Sequence, residues 1–298
     1  MNQELVVPTA ETDKKLQTFL KSRFPIGYVR KLFRKNGLRD NGKRSKPDDL
    51  IRAGDRIRLY IPFEKTIRHR DTAPLAPLKF SVIYEDPKLL VINKPAGIAV
   101  HEGKRVLKRH SVIGALESTF REQGLSPQLV HRLDKDTSGV LLIAKDELTA
   151  TELEAIFAEG RDVEKEYLCL LAGRLHDNQG RIDLPLPGRE GAPVRALTYF
   201  KILDQFSQTT LVRVNIETGR MHQIRLHFAA IGYPVVMDDQ HGDFAFNKQF
   251  SKKFGLKRQF LHASRLEIKH AGKKRAYSAP TPPDLQKVIE GLRADKAD

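Results

Sequence analysis

The apolar residues of this chain fall into short runs bounded by turn residues, and no other feature of the sequence restricts its fold as strongly. Runs of this length predict strands rather than helices. They occupy residues 82–84, 89–92, 140–144, 167–172 and 211–216. Helical spacing appears in two stretches of the same region, which end at Gly160 and Gly232. Strands therefore outnumber helices and seldom alternate with them, which predicts an α+β fold with a large, mainly antiparallel mixed sheet and flanking helices.

Several protein classes are disfavoured by what the sequence lacks. No stretch approaches the roughly 18 apolar residues of a membrane span, and the N-terminus lacks the charged start and apolar run of a secretion signal. We therefore expect a cytoplasmic protein without a membrane partner. The sequence contains neither the Gly-x-Gly-x-x-Gly pattern nor the P-loop pattern, both of which bind phosphate groups. We therefore expect no doubly wound nucleotide-binding fold and no cofactor. The single cysteine, Cys169, lies in an apolar run and is expected to be a buried structural thiol, which excludes a disulfide.

Positive charge is concentrated at the front of the chain. The formal net charge is +15, and residues 1–70 alone carry +10. Such an excess predicts a polyanionic partner. The basic residues expected to contact it are Arg30, Lys31, Arg34, Lys35, Lys43 and Arg44. Like charges four residues apart on a helix repel each other unless an anion neutralises them, and a phosphate backbone would do so. The alternative is a solvated surface face.

The order of elements at the front resembles a known RNA-binding module. Two helical stripes are followed by a basic turn at residues 40–43 and by a closing strand, where Ile57, Leu59 and Ile61 alternate with polar residues. Over residues 13–61 this order is similar to the S4 RNA-binding module, a small α/β domain, and the segment 53–57 is its most specific part. The resemblance implies an RNA-binding domain at 1–62, a proline-containing linker at 63–77 and a second domain at 78–298.

The densest cluster of reactive side chains lies at residues 131–138, in a polar loop before the strand 140–144. Asp134 and Asp136 alternate there with Arg132 and Lys135. From this local chemistry alone, both aspartates could be turn-stabilising residues paired with the neighbouring cations. A catalytic carboxylate is the other possibility, and the loop by itself leaves both open.

The loop sequence His-Arg-Leu-Asp-Lys-Asp-Thr-Ser-Gly, residues 131–139, resembles the signature loop of the RluA-type pseudouridine synthases. Further segments match this family in the same order along the chain. They are residues 84–86, 91–97, 100–101, 165–167, 217–227, 261–263 and 279–285. Two departures stand out: Met221 replaces the usual threonine, and residues 237–242 depart from the usual Gly-Asp start and tyrosine. We expect these departures to affect RNA contacts more than the reaction.

The resemblance implies an RNA pseudouridine synthase, an isomerase that needs no redox group or phosphoryl transfer. It implies that Asp134 is the catalytic carboxylate, which either attacks C1′ of the ribose or removes the C2′ proton. It also implies that Arg225 pairs with Asp134, which favours the ionised carboxylate, and that Tyr167 stacks on the uracil and assists the final C5 proton transfer. The plainer alternatives are a surface cation for Arg225 and core packing for Tyr167.

RNA is the expected partner, and the target uridine must be flipped out of its stack to reach Asp134. Arg132 and Arg220 are the predicted RNA contacts beside the site. The combination of an S4-like module with this catalytic domain resembles the branch that acts on large-subunit ribosomal RNA, and transfer RNA stays open. We expect a monomer.

Five histidines raise the question of a metal site. The spacings of five histidines fit no standard metal-ligand pattern, and we expect hydrogen-bonding roles and no metal. They are His131, His222, His227, His241 and His262. Two other functions compete with the main hypothesis: a non-catalytic RNA-binding or ribosome-assembly factor, and a nucleobase hydrolase that uses the same carboxylate.

Overall fold

The structure is a computed structural model that describes residues 3–24, 26–61, 78–102, 107–188 and 192–297. The chain divides into two compact units, Met1–Leu75 and Ala76–Asp298. The predicted linker at 63–77 lies outside the described residues, and so do the side chains of Arg30 and Lys31. Among the helices that are described, none combines the length and the apolar character needed to cross a membrane.

The first unit packs two helices against a small antiparallel sheet. Its elements are β1 (Gln3–Val6), α1 (Leu16–Lys21), α2 (Ile26–Arg34), β2 (Leu38–Asp40) and β3 (Arg56–Leu59). The strand order is β1-β3-β2, and the predicted closing strand, β3, is the central one. Apolar side chains from both helices and from β3 are fully buried between these layers. The predicted pair of helices followed by a strand is therefore confirmed.

The described basic residues of this unit lie at the end of α2 and in the turn after β2. Arg34 ends the helix, and Lys35 follows it in a turn. Asn41 and Gly42 take left-handed conformations with φ values of 47° and 81°, and they bring the chain back so that the Asp40 and Lys43 backbones hydrogen bond to each other. The exposed side chains that result are Arg34, Lys35, Lys43 and Arg44.

The second unit is built on one large sheet with helices on its faces. Its strands are β4 (Ser81–Glu85), β5 (Leu89–Lys94), β6 (Gln128–Leu129), β7 (Ser138–Ala144), β8 (Val163–Ala172), β9 (Gln179–Asp183), β10 (Leu186–Pro187), β11 (Pro193–Val194), β12 (Leu197–Gln205), β13 (Thr209–Ile216), β14 (Leu261–His270) and β15 (Lys273–Ser278). Its helices are α3 (Val112–Phe120), α4 (Glu147–Glu159), α5 (Gln223–Ala230), α6 (Phe244–Phe254) and α7 (Pro283–Ala297).

Ten strands form this sheet, and the main path runs β4-β5-β7-β14-β8-β13-β12-β9. β6 pairs with β7 and β15 pairs with β14, while β10 and β11 form a separate pair. Every pairing in the large sheet is antiparallel except β7 with β14, which is parallel. The predicted α+β fold with a large, mainly antiparallel mixed sheet is confirmed.

Gly139 makes the parallel pairing of β7 and β14 possible. It has a φ of 119°, and a Cβ atom at this position would lie 2.1 Å from the Ala263 carbonyl oxygen. The preceding residues of the two strands also contact each other, because the Ser138 hydroxyl lies 2.9 Å from Nδ1 of His262. The end of the loop that carries Asp134 is therefore pressed directly against the centre of the sheet.

Two predictions about local structure need correction. The strand predicted to open at Tyr167 begins four residues earlier, at Val163, so Tyr167 lies inside β8. The charged residues Glu164, Lys165 and Glu166 hid this part of the strand, although the buried and exposed positions alternate through it. Helices α3, α6 and α7 were not predicted, because their apolar stripes are short or interrupted by charged residues. α6 and α7 cover one part of the sheet through buried residues such as Phe250, Leu285 and Val288.

Candidate active site

A cavity of about 760 Å³ opens between the loop before β7, the middle of β8 and the start of α5. Asp134, Tyr167 and Arg225 all line it. The three residues come from separate elements, since Asp134 lies in the loop, Tyr167 on β8 and Arg225 in the first turn of α5. The structure thus brings together the residues that the sequence analysis singled out as the catalytic set.

Asp134 and Arg225 form an ion pair at the cavity wall. Nη1 of Arg225 donates a hydrogen bond to Oδ2 of Asp134 at 3.1 Å. The Asp134 side chain is 18% exposed and that of Arg225 only 3%, so the carboxylate faces the cavity and the guanidinium lies behind it. The Asp134 carbonyl accepts a hydrogen bond from the Thr137 backbone N–H at 3.1 Å, which closes a tight turn in the loop. A charged, partly exposed carboxylate in a fixed position is what a nucleophile or a general base requires.

Asp238 holds Arg225 from the other side. Nε and Nη2 of Arg225 donate to the two Asp238 carboxylate oxygens at 2.6 Å and 2.7 Å. Burial of Asp238 opposes its charge, but the hydrogen bonds from Arg225 and from the backbone N–H groups of His241 and Gln240 outweigh this, so the pKa of Asp238 lies below its usual range. Bidentate pairs of this kind fix the plane of a guanidinium.

The loop at residues 237–242 is anchored by α6. The Asn247 side chain donates to the Asp238 carbonyl at 3.0 Å and accepts from the Met237 backbone N–H at 2.7 Å. Met237 has a φ of 63°, a left-handed conformation that usually favours glycine. This loop, whose departures from the family pattern are expected to affect mainly RNA contacts, also carries Asp238, the partner of Arg225. Asp238 was not among the predicted site residues, and the comparison of this segment with the family's Gly-Asp start is the signal that could have pointed to it.

Tyr167 contributes to both the core and the cavity. Its side chain is 8% exposed, packs within the main apolar cluster and lines the cavity. Burial and the nearby charge of Asp134 raise the pKa of the Tyr167 hydroxyl well above its usual range. The phenol therefore stays protonated at neutral pH, so it offers a ring face and a hydrogen-bond donor rather than a phenolate base.

Each of the five histidines makes a side-chain hydrogen bond, as predicted. His131 accepts from the Leu142 backbone N–H at 2.9 Å and stacks on Phe157, and burial lowers its pKa to about 3. His227 bonds to Thr198, and His262 lies between Ser138 and the Ala279 carbonyl. In the described part of the chain, no three His, Cys, Asp or Glu side chains are grouped so that they could hold a metal ion.

The remaining two histidines lie beside the catalytic pair. Nε2 of His222 is 3.9 Å from Oδ1 of Asp134, and its Nδ1 is 3.1 Å from Nε2 of His241. Burial lowers the pKa of His222, while the charge of Asp134 opposes this shift. His222 precedes α5 in a left-handed conformation, with a φ of 54°. This conformation turns the chain into α5, whose third residue is Arg225.

Cations surround the mouth of the cavity. Arg132 and Arg220, the RNA contacts predicted beside the site, both line the cavity and are exposed. The Arg220 side chain is oriented by a hydrogen bond from its Nε to the Arg195 carbonyl at 3.2 Å. A third cation on the wall, Lys165, was not among the predicted site residues. The remaining predicted RNA-binding residues belong to the first unit.

Known proteins resemble this chain over most of its length. The model of the family described as RNA pseudouridylate synthase matches residues 88–230, which include Asp134, Tyr167 and Arg225. The ribosomal large subunit pseudouridine synthase C of Vibrio parahaemolyticus is 35% identical over 94% of this chain and 93% of its own length. The protein of the same name from Escherichia coli is 34% identical over 97% of both chains.

A solved structure supports the fold. The structure of human RNA pseudouridylate synthase domain containing 4 superposes with a TM-score of 0.61 at 23% identity, and the match covers 72% of this chain and 93% of the human one. At this identity the likeness concerns the fold alone. The matches that span nearly the whole sequence decide the family: the chain belongs to the RluA-type RNA pseudouridine synthases.

Proposed function

We propose that this RNA pseudouridine synthase isomerises specific uridines of large-subunit ribosomal RNA, with Asp134 as its catalytic carboxylate. The observation that carries this proposal is the ion pair of Asp134 and Arg225 on the cavity wall, with Asp238 behind it. The substrate class follows from the names of the relatives, which refer to the ribosomal large subunit and match this chain over almost its entire length.

The reaction can follow either of two routes. In one, Asp134 attacks C1′, the bond to uracil N1 breaks and uracil leaves with the electron pair. The uracil then turns, C5 bonds to C1′ and the carboxylate departs. In the other, Asp134 removes the C2′ proton, N1 leaves to form a glycal, and C5 adds back to C1′ as a proton returns to C2′. Both routes end with loss of the C5 proton to water and gain of a proton at N1, so that the product is an isomer of the substrate.

Two neighbouring residues shape this position. Nη1 of Arg225 donates to Oδ2 of Asp134 at 3.1 Å and thereby fixes the direction of the carboxylate. Tyr167 supplies a flat surface on which the flipped uracil can pack. Because its hydroxyl is protonated, we assign Tyr167 to packing and hydrogen bonding at the C5 proton transfer rather than to proton abstraction.

The first unit is proposed to deliver RNA to this site as an S4-like module. Its proposed contacts are Arg30, Lys31, Arg34, Lys35, Lys43 and Arg44, and those beside the cavity are Arg132 and Arg220. Phosphate contacts of this kind position an RNA without reading its sequence. We further propose that the protein acts as a monomer in the cytoplasm, which size-exclusion chromatography and cell fractionation would check.

The decisive experiment uses large-subunit ribosomal RNA, from a strain that lacks this protein, labelled with tritium at C5 of uridine. We expect the wild-type protein to release tritium to water without free uracil, and Asp134→Asn to abolish the release while the fold is kept. Asp136→Asn, in the same loop but outside the cavity, is the matched control and should stay active. Free uracil would indicate a hydrolase.

Two further outcomes complete the design. Absence of tritium release by the folded wild-type protein from both ribosomal and transfer RNA would overturn the proposal and favour a non-catalytic RNA-binding factor. Release from transfer RNA alone would correct the substrate. Mapping pseudouridines in the RNA of the deletion strain, before and after treatment with the protein, then identifies the target uridine.

A further inference from the structure

The side chain of Lys165 is largely buried in the wall of the cavity. Its side chain is 8% exposed and lines the cavity. Among the residues that the structure describes, its ammonium has neither a hydrogen-bond acceptor nor a carboxylate in contact, and its recorded neighbour is the ring of Phe157, with Nζ 6.0 Å from the centroid. An ammonium group has three hydrogen-bond donors, and at the cavity wall they are open to acceptors of a molecule that binds there.

The other buried lysines of this unit show what is missing at Lys165. The ammonium of Lys94 donates to the carbonyls of Pro95, Ile98 and Lys135 at 2.8, 2.9 and 3.1 Å. Lys145 pairs with Glu85 at 2.5 Å. Both therefore have acceptors supplied by the protein itself. Among the described residues, none supplies such an acceptor to Lys165. Its side chain lines the space in which a substrate would bind, so we expect a ligand to supply the acceptors.

The position of Lys165 along β8 relates it to the uracil surface. It lies two residues before Tyr167, and alternate residues of a strand share a face, about 6.7 Å apart. The burial pattern agrees with this. Lys165 and Tyr167 are both buried, whereas Glu164, on the other face of the strand, is exposed. A nucleotide whose base packs on Tyr167 and whose ribose lies at Asp134 therefore has its backbone within reach of the long Lys165 side chain.

A second cation faces the same part of the cavity. The loop that carries Arg220 passes close to Lys165, because a Cβ atom on Gly219 would lie 3.8 Å from Nζ of Lys165. Burial and the charge of Arg220 lower the pKa of Lys165 to about 8. Glu217, the nearest carboxylate in that loop's sequence, is engaged by Arg195 at 3.3 Å. Two cations that line the same part of a cavity favour the binding of an anion there.

We propose that Lys165, together with Arg220, binds a backbone phosphate next to the flipped uridine and thereby positions the ribose against Asp134. Lysine is a common phosphate ligand because its ammonium acts as a compact charge with three donors. Lys165 is thus a substrate-binding and positioning residue. This inference rests on the proposed function, since it requires an RNA nucleotide in the cavity.

The first test measures Kd, KM and kcat on a ribosomal RNA fragment that contains the mapped uridine. Lys165→Met should raise Kd and KM by about 10- to 100-fold, the range expected for a lost charged hydrogen bond, with a smaller effect on kcat. It should also reduce the slope of log affinity against log salt by about 0.7 to 0.9. Lys165→Arg should retain most of the affinity. Wild-type values of Kd and KM in Lys165→Met would overturn the proposal.

Matched controls separate binding from folding. Lys201→Met removes the same charge from an exposed position on β12 and should leave Kd and KM unchanged. Because Lys165→Met removes a buried, unpaired charge, its melting temperature should equal or exceed that of the wild type. A large loss of melting temperature in this variant would indicate a structural role and would contradict the proposal.

A second test changes the RNA instead of the protein. Fragments are prepared with a neutral methylphosphonate at the phosphate on either side of the target uridine. One of the two modified fragments should bind the wild-type protein more weakly, by about the factor by which Lys165→Met weakens binding of the unmodified fragment. The affinity of the Lys165→Met variant should be nearly the same for that modified fragment and for the unmodified one. If the losses of binding free energy caused by the methylphosphonate and by Lys165→Met add fully at both phosphates, the assignment is overturned. If the wild-type protein does not convert the unmodified fragment at all, the proposed function fails instead, so the two failures are distinguishable.

Discussion

Arg225 and Asp238 are joined by two hydrogen bonds of 2.6 and 2.7 Å, and this pairing leaves Nη1 of the same guanidinium directed at Asp134. Asp238 is fully buried, and two backbone N–H groups also donate to it. The orientation of Arg225 is therefore fixed by the loop that α6 anchors, on the side of the guanidinium away from Asp134.

Asp238→Asn should lower both activity and stability. Loss of one partner of a buried ion pair costs about 3–5 kcal/mol, and misplacement of a catalytic group by about 1 Å can lower the rate by about 100-fold. We expect kcat to fall by about 10- to 100-fold and thermal unfolding to occur earlier. Asp239→Asn is the control, since Asp239 is 72% exposed and lies 3.6 Å from Arg225. Unchanged kcat in Asp238→Asn would show that Arg225 is held by other contacts.

Gly139→Ala should prevent the close approach of β7 and β14. The added Cβ would meet the Ala263 carbonyl oxygen at 2.1 Å, and the φ of 119° is unfavourable for alanine. We expect the free energy of unfolding to fall by more than about 3 kcal/mol. Gly272→Ala, at a φ of 71° with no atom near the new Cβ, should cost about 1–2 kcal/mol. Urea denaturation of both variants measures the difference, and similar losses would contradict the packing argument.

Lys94→Met should loosen the loop that carries Asp134. Lys94 joins the loop after β5 to the carbonyl of Lys135, and its loss removes three hydrogen bonds to partly buried carbonyls. A hydrogen bond from a charged group contributes about 1.5–3 kcal/mol. We expect a clear loss of stability in chemical denaturation and a lower kcat. Lys88→Met, at an exposed position, should behave like the wild type.

Stability should fall in acid partly because of His131. Its pKa in the folded protein is about 3, whereas an unfolded histidine has a value near 6.5, so only the unfolded chain binds a proton between these two pH values. His131 therefore contributes stability that is fully present above pH about 6.5 and is lost as the pH falls towards about 3, by up to about 1.4 kcal/mol per pH unit. His131→Gln should show a shallower slope of unfolding free energy between pH 6.5 and 4. Equal slopes would show that His131 is not buried in its neutral form.

The basic residues of the first unit should govern the salt dependence of RNA binding. Each phosphate contact contributes about 0.7 to 0.9 to the slope of log affinity against log salt. Replacement of four exposed residues by Gln should therefore reduce the slope by about 3. These residues are Arg34, Lys35, Lys43 and Arg44. Four exposed lysines of the second unit serve as the control and should change the slope less. They are Lys248, Lys252, Lys273 and Lys287.

The fold class was predicted from sequence pattern alone, and the three residues proposed as the catalytic set were selected from the sequence as well. Short apolar runs predict strands because side-chain alternation is a local property, and the motif around Asp134 identified its segment without any knowledge of packing. Arg225 and Tyr167 were found in the same way, from segments that match the family in order. Local pattern did not reveal the start of β8, because its charged residues interrupt the apolar run.

Which charges support these residues depends on tertiary packing. Asp238 becomes the partner of Arg225 because α6 holds its loop against α5, and Lys165 becomes a cavity residue because β8 lies in the centre of the sheet. Neither role can be read from the local sequence. Burial and pairing depend on contacts between segments that are far apart in the chain, so a charge becomes a buried partner or an unpaired donor only when the strands and helices pack together.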